Sequence, residues 1–254
     1  MSKVKSYAAL QADKPLHPHD INRRDINPDD VNIDILYCGV CHSDIHMARN
    51  EWNNTSIYPM VPGHEIIGIV KEVGSTVTKF KVGDNVGVGV YVDACEKCDN
   101  CNSGKDHYCE EGIVLTYNSY EYGTRNITYG GYSKSIVVKE NYVIKVPSEM
   151  DMKKAAPLLC AGITTYSPLR HFKINSNHKV GIAGLGGLGH MGLKFASSFG
   201  ADVVVFSTSD SKKDEAFEMG ANHFVNVNNS KDVRKHMNSC DYILDLSLIH
   251  ISEP

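Results

Sequence analysis

Four of the eight cysteines, Cys95, Cys98, Cys101 and Cys109, fall within the fifteen residues "CEKCDNCNSGKDHYC" at C-x2-C-x2-C-x7-C spacing. Thiols grouped this way suit a tetrahedral zinc shell, and four of them leave no coordination position open. Asn102, Ser103 and Gly104 supply the turn chemistry that lets the lobe fold back so that Cys109 closes the shell. Four unmetallated thiols, some of them disulfide-bonded, are the alternative. A closed shell makes a structural clasp, so the chemistry must lie elsewhere. A second set of donors is dispersed: Cys41 in "GVCHSDIH", His64 in "VPGHEIIG" and Cys160 in "LLCAGITTY". Two cysteines and a histidine leave a fourth position for water or substrate, as catalytic zinc requires. Singly, each reads as well as a core thiol or a hydrogen-bonded histidine. Their occurrence beside a separate four-cysteine lobe favours the metal.

A third stretch carries phosphate chemistry. In "KVGIAGLGGLGH", Gly184, Gly186 and Gly189 form G-x-G-x-x-G after an apolar strand and at the opening of a helix, with Gly187 and Leu188 between them. Glycine permits the tight turn and the close backbone approach, and the helix N-terminus receives a pyrophosphate. The next strand, "DVVVFSTSDSKK", reports on which nicotinamide dinucleotide binds. A carboxylate at its end favours NAD by bonding the ribose 2′-hydroxyl. Here Ser207 holds that place. Ser207, Thr208 and Ser209 can donate to a 2′-phosphate and Lys212 can pair with it, so NADP is the expected cofactor. Asp210 as a displaced ribose ligand is the alternative.

These residues need elements to hold them. The first half is β-rich: "VNIDILYC", "IIGIVKEVG", "VGVGVYV" and "YSKSIVVKENYVIKV" are short apolar runs punctuated by Gly, Pro, Asn and Asp. Near Pro147 the texture changes to alternating strands and helices, which argues for βαβ units on a parallel sheet. In the first of these helices Met191, Phe195 and Phe199 recur at four-residue spacing before Gly200, and Ser209 or Asp210 caps the next, which ends before Gly220. The 254 residues suffice for two domains, expected as 1–147 and 148–245, with a zinc lobe at about 91–112. A net charge of −4 gives no pull toward nucleic acid or anionic membrane, and no apolar run nears the roughly 20 residues of a membrane span. "MSKVKSYAAL" lacks the apolar segment and cleavage site of a signal peptide, so the cytoplasm is the expected compartment.

Five motifs in order, "CGVCHSDIH", "PMVPGHEIIGIV", "VGVGVYVDACEKCDNCNSGKDHYC", "PLLCAGITTY" and "GIAGLGGLGHMGLKFA", resemble the zinc-dependent medium-chain alcohol dehydrogenases, closest to their cinnamyl-alcohol-dehydrogenase-like branch. The resemblance runs from residue 7 to about 245. It implies a GroES-like β-barrel catalytic domain followed by an incomplete Rossmann domain, with two zinc ions per chain. Cys41, His64 and Cys160 match the catalytic zinc ligands and the cysteine lobe matches the structural site. The expected activity is reversible hydride transfer between NADP(H) and a primary alcohol or aldehyde. The resemblance implies that Ser43 takes the alcohol proton, that His46 passes it to solvent, and that Glu65 lies near the metal. Asp44 would orient a ligand; turn capping is the other reading for Ser43 and Asp44, and a solvated surface residue for His46. His42 matches a position that holds the pyrophosphate and Thr164 one beside the nicotinamide. Trp52 and Ile57 are guessed to line the substrate pocket. A homodimer is implied for the parent enzyme. Alternatives are an NAD-dependent polyol or secondary-alcohol dehydrogenase of the same fold, or a non-catalytic zinc-binding fragment.

The family continues for roughly a hundred residues beyond "DYILDL". Leu246 to Pro254 are the residues that CTG TCT CTT ATA CAC ATC TCC GAG CCC would encode, and in this they resemble a translated transposon-end sequencing adapter. The expectation is a gene fragment read into adapter, with an exposed sheet edge and poor turnover; a naturally short protein is the alternative.

Overall fold

The computed structural model describes residues 1–247; the adapter-like tail falls mostly on residues 248–254, outside the described residues. The chain forms two compact units, one spanning Met1–Cys160 and the other beginning at Ala161. That division comes later than the change of texture at residue 147. The reason is packing: Ala155, Ala156 and Leu159 form a small core with Ile67 and Val146, tying this segment to the first unit.

The first unit starts with an antiparallel pair, β1 (Ser2–Ala8) and β2 (His17–Arg23). Next come β3 (Asp30–Cys38), helix α1 (His42–Ala48), β4 (Ile66–Val73) and β5 (Asn85–Val88). The zinc-lobe region holds β6 (Tyr91–Asp93), α2 (Asp99–Asn102) and β7 (Val114–Leu115), and the unit continues with β8 (Ser135–Lys139), β9 (Val143–Lys145) and α3 (Met152–Ala155). Five strands make one antiparallel sheet in the order β8-β3-β4-β5-β9. Alternation writes its buried face: Val31 and Ile33 on β3 and Ile136 and Val138 on β8 are buried, with Asn32 and Asp34 between. Register shifts in β3 at Asn32/Ile33 and Ile35/Tyr37 bend the strand and increase its twist, as β-bulges do. The expected GroES-like class is met by this curled antiparallel sheet.

The register also positions the chemistry. Cys38, the last residue of β3, pairs with Ile66, the first of β4. The chain leaving β3 toward Cys41 therefore runs beside the chain entering β4 through His64 and Glu65, and Gly39 N–H donates to the Glu65 carbonyl at 2.9 Å. Cys160 follows a short 3-10 turn, Ala156–Leu159, which Leu159 pins to the sheet against Gly87.

The second unit comprises α4 (Ala161–His171), β10 (Lys179–Ala183), α5 (Gly187–Ser198), β11 (Asp202–Ser207), α6 (Lys213–Glu218), β12 (His223–Asn226), α7 (Ser230–Lys235) and β13 (Tyr242–Asp245). Its four described strands are parallel, in the order β12-β11-β10-β13. The order reverses at β10, so the glycine-rich turn after β10 sits at the switch point where such sheets bind ligands. Helix α5 turns its small residues to the sheet. Gly189, Gly192, Leu193 and Ala196 are buried, whereas Phe195 and Phe199 are only partly covered and meet Tyr166 of α4 at 5.3 and 5.8 Å between ring centroids. Small residues win the sheet-facing side because the helix lies close to it: a Cβ on Gly192 would come within 3.0 Å of Leu244.

Candidate active site

Cys41 caps the N-terminus of α1, and its N–H donates to Oδ2 of Asp44 at 2.9 Å. The other Asp44 oxygen accepts from Gly63 N–H at 2.9 Å and lies 3.4 Å from His64 Nδ1. One buried carboxylate thus fixes the backbone of two separate loops and the ring of a histidine. Tyr132 adds its hydroxyl to Asp44 at 3.3 Å, and Tyr117 stacks on the His64 ring at 5.7 Å. Sequence reasoning singled out Asp44 but missed both tyrosines, which lie far along the chain and carry no local motif.

With Nδ1 directed at Asp44, His64 Nε2 is buried and has no hydrogen-bond partner among the described residues. Single ligand atoms of Cys41, His64, Glu65 and Cys160 lie within 4.8 Å of one another, and the two sulfurs are 3.8 Å apart as free thiols. A buried nitrogen acceptor without a donor costs free energy unless something electrophilic meets it. The S2N donor set suits zinc, and the Asp44–His64 contact is the usual outer support of a metal-bound imidazole. Glu65 completes the cluster because Gly39 has no side chain: a Cβ there would lie 1.9 Å from the Glu65 carboxylate.

The electrostatics match. A hydrogen bond from the Cys160 thiol, with the nearby His64 ring and the Ser43 hydroxyl favouring the same charge, lowers Cys41 to about 3 against the effect of burial. Cys160 is pushed up in turn, because it keeps the proton shared with Cys41. Burial works to lower His64, but Asp44 and Cys41 raise it to about 9. Burial and the Cys41 charge push Glu65 up to about 7. A bound cation would relieve this crowding of negative groups.

Ser43 sits half-buried with its hydroxyl 3.5 Å from the Cys41 sulfur. His46 lies one turn further along α1, its Nδ1 engaged by Glu51 and its ring stacked with those of His42 and Trp52. Trp52, guessed as a pocket residue, therefore packs on His46, and the Ile57 N–H is held by Asn118 at 2.7 Å. His42 is exposed on the same helix, and Thr164 is exposed on α4.

Sulfur atoms of Cys95, Cys98, Cys101 and Cys109 also lie within 4.8 Å of one another. Backbone N–H groups turn to the sulfurs, Cys95 to Cys109 and Cys98 to Cys95, each at 3.4 Å. Asn102 and Ser103 close the turn on the carbonyls of Lys97 and Asn100 at 3.0 and 2.9 Å. Burial opposes it, yet the Cys95 N–H and neighbouring donors lower Cys109 to about 6. Four convergent sulfurs with no other ligand type fit a closed zinc shell. Tyr122, whose hydroxyl lies 3.8 Å from Cys109, is an unforeseen neighbour.

In the second unit Gly184 follows β10 at a φ of +88°, and a Cβ on Gly189 would meet the Gly184 carbonyl oxygen at 1.9 Å, so helix and turn touch. Beyond Gly186 and Gly187 lies open space, with nothing within 4 Å of a Cβ at either. Leu188 follows in the first turn of α5. This cradle at a helix N-terminus fits a dinucleotide pyrophosphate. At the end of β11, Ser207 is buried and shares a hydrogen bond with the Ser209 N–H at 3.4 Å, and Ser209 caps the following turn. The Thr208 carbonyl accepts from Asn228 at 2.9 Å. Lys212 reaches back to the Leu185 carbonyl at 2.7 Å, which puts its ammonium beside the glycine-rich turn. Asp210 accepts from Asn226 at 2.9 Å.

Comparison with known proteins gives two family matches: an alcohol dehydrogenase GroES-like domain over residues 27–148 and a zinc-binding dehydrogenase domain over residues 187–250. The chain is 50% identical over 244 residues to aldehyde reductase YahK of Escherichia coli, covering 96% of this chain and 69% of that protein. It is 50% identical over 247 residues to NADP-dependent alcohol dehydrogenase C 1 of Mycolicibacterium smegmatis, covering 96% and 70%. Among solved structures it resembles a CAD from Helicobacter pylori complexed with NADP(H), with a TM-score of 0.88, 46% identity and coverage of 96% and 68%.

Proposed function

The chain belongs to the zinc-binding alcohol dehydrogenase family, and from that premise we propose that it interconverts primary alcohols and aldehydes with NADP(H). The observation that carries the reading is the convergence of Cys41, His64 and Cys160 around a buried, unpartnered His64 Nε2. When bound there, zinc supplies Lewis acidity toward the oxygen of the alcohol or aldehyde, and NADP(H) supplies the hydride acceptor or donor.

The remaining work falls to side chains. Cys41, His64 and Cys160 hold the metal, and Asp44 keeps the His64 ring turned so that Nε2 faces it. The Ser43 hydroxyl, both donor and acceptor, takes the alcohol proton in one direction and returns it in the other. His46 exchanges that proton with solvent. Glu65 stands by the metal as a carboxylate whose protonation burial and Cys41 govern. Cys95, Cys98, Cys101 and Cys109 hold a second zinc that shapes the lobe.

For the cofactor, Gly184, Gly186, Gly187, Leu188 and Gly189 form the pyrophosphate turn, with His42 assisting and Thr164 beside the nicotinamide. Ser207, Thr208, Ser209 and Lys212 take the 2′-phosphate. NADP is favoured because Lys212 is drawn to the glycine-rich turn and Asp210 is occupied by Asn226. The two units correspond to a catalytic and a nucleotide-binding domain. A cytoplasmic homodimer completes the reading; eight free cysteines suit a reducing compartment. No helix among the described residues is long and apolar enough to cross a membrane.

The test is spectrophotometric. Zinc-replete protein, extended to the length of the relatives it matches, should consume NADPH, and NADH more slowly, with a panel of aromatic and aliphatic aldehydes. Absence of turnover across the panel refutes the reading.

A further inference from the structure

Arg23, the last residue of β2, is 8% exposed and makes no ion pair among the described residues. Its charge is met by oxygens of the segment leading into β8. Nε donates to the Ser135 carbonyl at 3.0 Å and Nη1 to the Tyr129 carbonyl at 2.6 Å. Nη2 donates to the Gly130 carbonyl at 3.0 Å and the Ser133 hydroxyl at 2.8 Å. A buried cation without a carboxylate needs such acceptors, and a planar guanidinium offers its donors in a fixed fork. Arg23 therefore gathers residues 129–135 around one rigid group.

The same turn reaches the reactive centre. The N–H groups of Gly130, Gly131 and Tyr132 donate to the carbonyls of Val61, Gly63 and Pro62 at 2.7, 2.8 and 3.0 Å. The two backbones lie so close that a Cβ on Gly130 would stand 2.4 Å from the Gly63 carbonyl oxygen and 2.5 Å from that of Pro62. A shift of the turn is thus passed to Gly63 and to His64 beside it. The turn also carries Tyr132, whose hydroxyl donates to one Asp44 oxygen at 3.3 Å, while Gly63 N–H donates to the other at 2.9 Å.

We propose that Arg23 is a positioning residue for the reactive centre: by clamping residues 129–135, it fixes the backbone seam that seats His64 and the hydroxyl that braces Asp44. It acts at a distance, through two stretches of backbone. This inference rests on the reading of Cys41, His64 and Cys160 as a metal site. Lysine keeps the charge but offers three donors from one nitrogen, which cannot span acceptors on four residues. Arg23 borders a polar cavity of about 460 Å³ with Arg24, Glu121 and Tyr129, where a lysine can be hydrated, so Arg23→Lys should fold.

The experiment takes wild type, Arg23→Lys and Tyr132→Phe, each extended to the length of the relatives the chain matches and loaded with zinc. Each is titrated with chelator in the presence of a thiol-alkylating reagent. Zinc-bound thiolates resist alkylation, so peptide mass spectrometry reads Cys41 and Cys160 separately from the four cysteines of the lobe. The lobe is the internal control, because a general loss of stability opens both centres. In Arg23→Lys the Cys41 centre should release zinc at about tenfold lower chelator, the lower end of the loss expected when a ligand's outer support is removed, with the lobe retained as in wild type. Tyr132→Phe leaves the clamp in place and removes only the bond to Asp44, so the same centre should shift in the same direction by a smaller factor. Release of both centres together in Arg23→Lys, or wild-type retention at Cys41 in either variant, overturns the inference. If wild type itself protects only the lobe cysteines, the metal reading of the Cys41 centre falls and this inference with it.

Discussion

Replacing Asp44 by Asn removes one charge and keeps the shape, and the structure sets out the consequences. The wild-type carboxylate accepts from two backbone N–H groups, those of Cys41 and Gly63, each at 2.9 Å on a different oxygen. An amide has one acceptor oxygen and one donor nitrogen, so in either orientation one N–H faces another donor. The site is buried, with Asp44 only 3% exposed, so water cannot take over. A lost hydrogen bond to a charged group costs about 1.5–3 kcal/mol. At about 2–4 °C per kcal/mol for a chain of this size, the midpoint of thermal unfolding should fall by about 3–12 °C. His64 also loses its orienting carboxylate, and loss of such outer support lowers metal affinity by about 10–100-fold. Chelator competition, read as zinc released from the Cys41 site, measures the second effect, and thermal unfolding of the zinc-loaded protein measures the first. Zinc affinity and unfolding midpoint both unchanged from wild type would refute the view that Asp44 organises the site.

Other outcomes follow from the same geometry. Ser207→Asp places a carboxylate where a 2′-phosphate is expected and should lower the NADPH-to-NADH ratio of kcat/KM by about tenfold, roughly one like-charge contact; an unchanged ratio counts against the assignment. Gly189→Ala drives a methyl group into the Gly184 carbonyl, so urea unfolding should show a loss of about 1–3 kcal/mol or more together with weaker nucleotide binding. In the lobe, burial works to raise Glu96, but Asn141 and Lys139 hold it below its ordinary range. A lowered carboxylate contributes stability above its unfolded value, near 4.3, and loses that contribution as pH falls through the folded value. Lys139→Met should therefore destabilise the protein at pH 6 and make little difference below about pH 4, as urea midpoints across that range would record.

The readable parts of the site were those written locally. The four-cysteine lobe and the glycine-rich turn each close within a few residues, so spacing alone conveyed their shape. Cys41, His64 and Cys160 could be named by type, but their convergence depends on the pairing of Cys38 with Ile66 and on Leu159 packing against Gly87, which are contacts across the sheet. Tyr132 reaches Asp44 from 88 positions away, and no sequence pattern marks it. The spacing of Met191, Phe195 and Phe199 marked a helix but not its sheet-facing side, which close helix–sheet approach gives to glycine and alanine. The unit boundary was set early for a similar reason: the helical texture after Pro147 belongs to a segment whose apolar residues pack back on the barrel sheet. Glu51 escaped notice because its partnership with His46 comes from a helix cap rather than from residue spacing.

Metal content measured on the preparation used for catalysis tests the central claim most directly. Wild type should hold two zinc ions per chain and reduce aldehydes with NADPH. Cys41→Ser should hold one, stay folded through the intact cysteine lobe, and lose turnover. A Cys41→Ser protein that keeps both zinc ions, or that turns over at the wild-type rate with one, would contradict the division between a closed structural centre and an open reactive one.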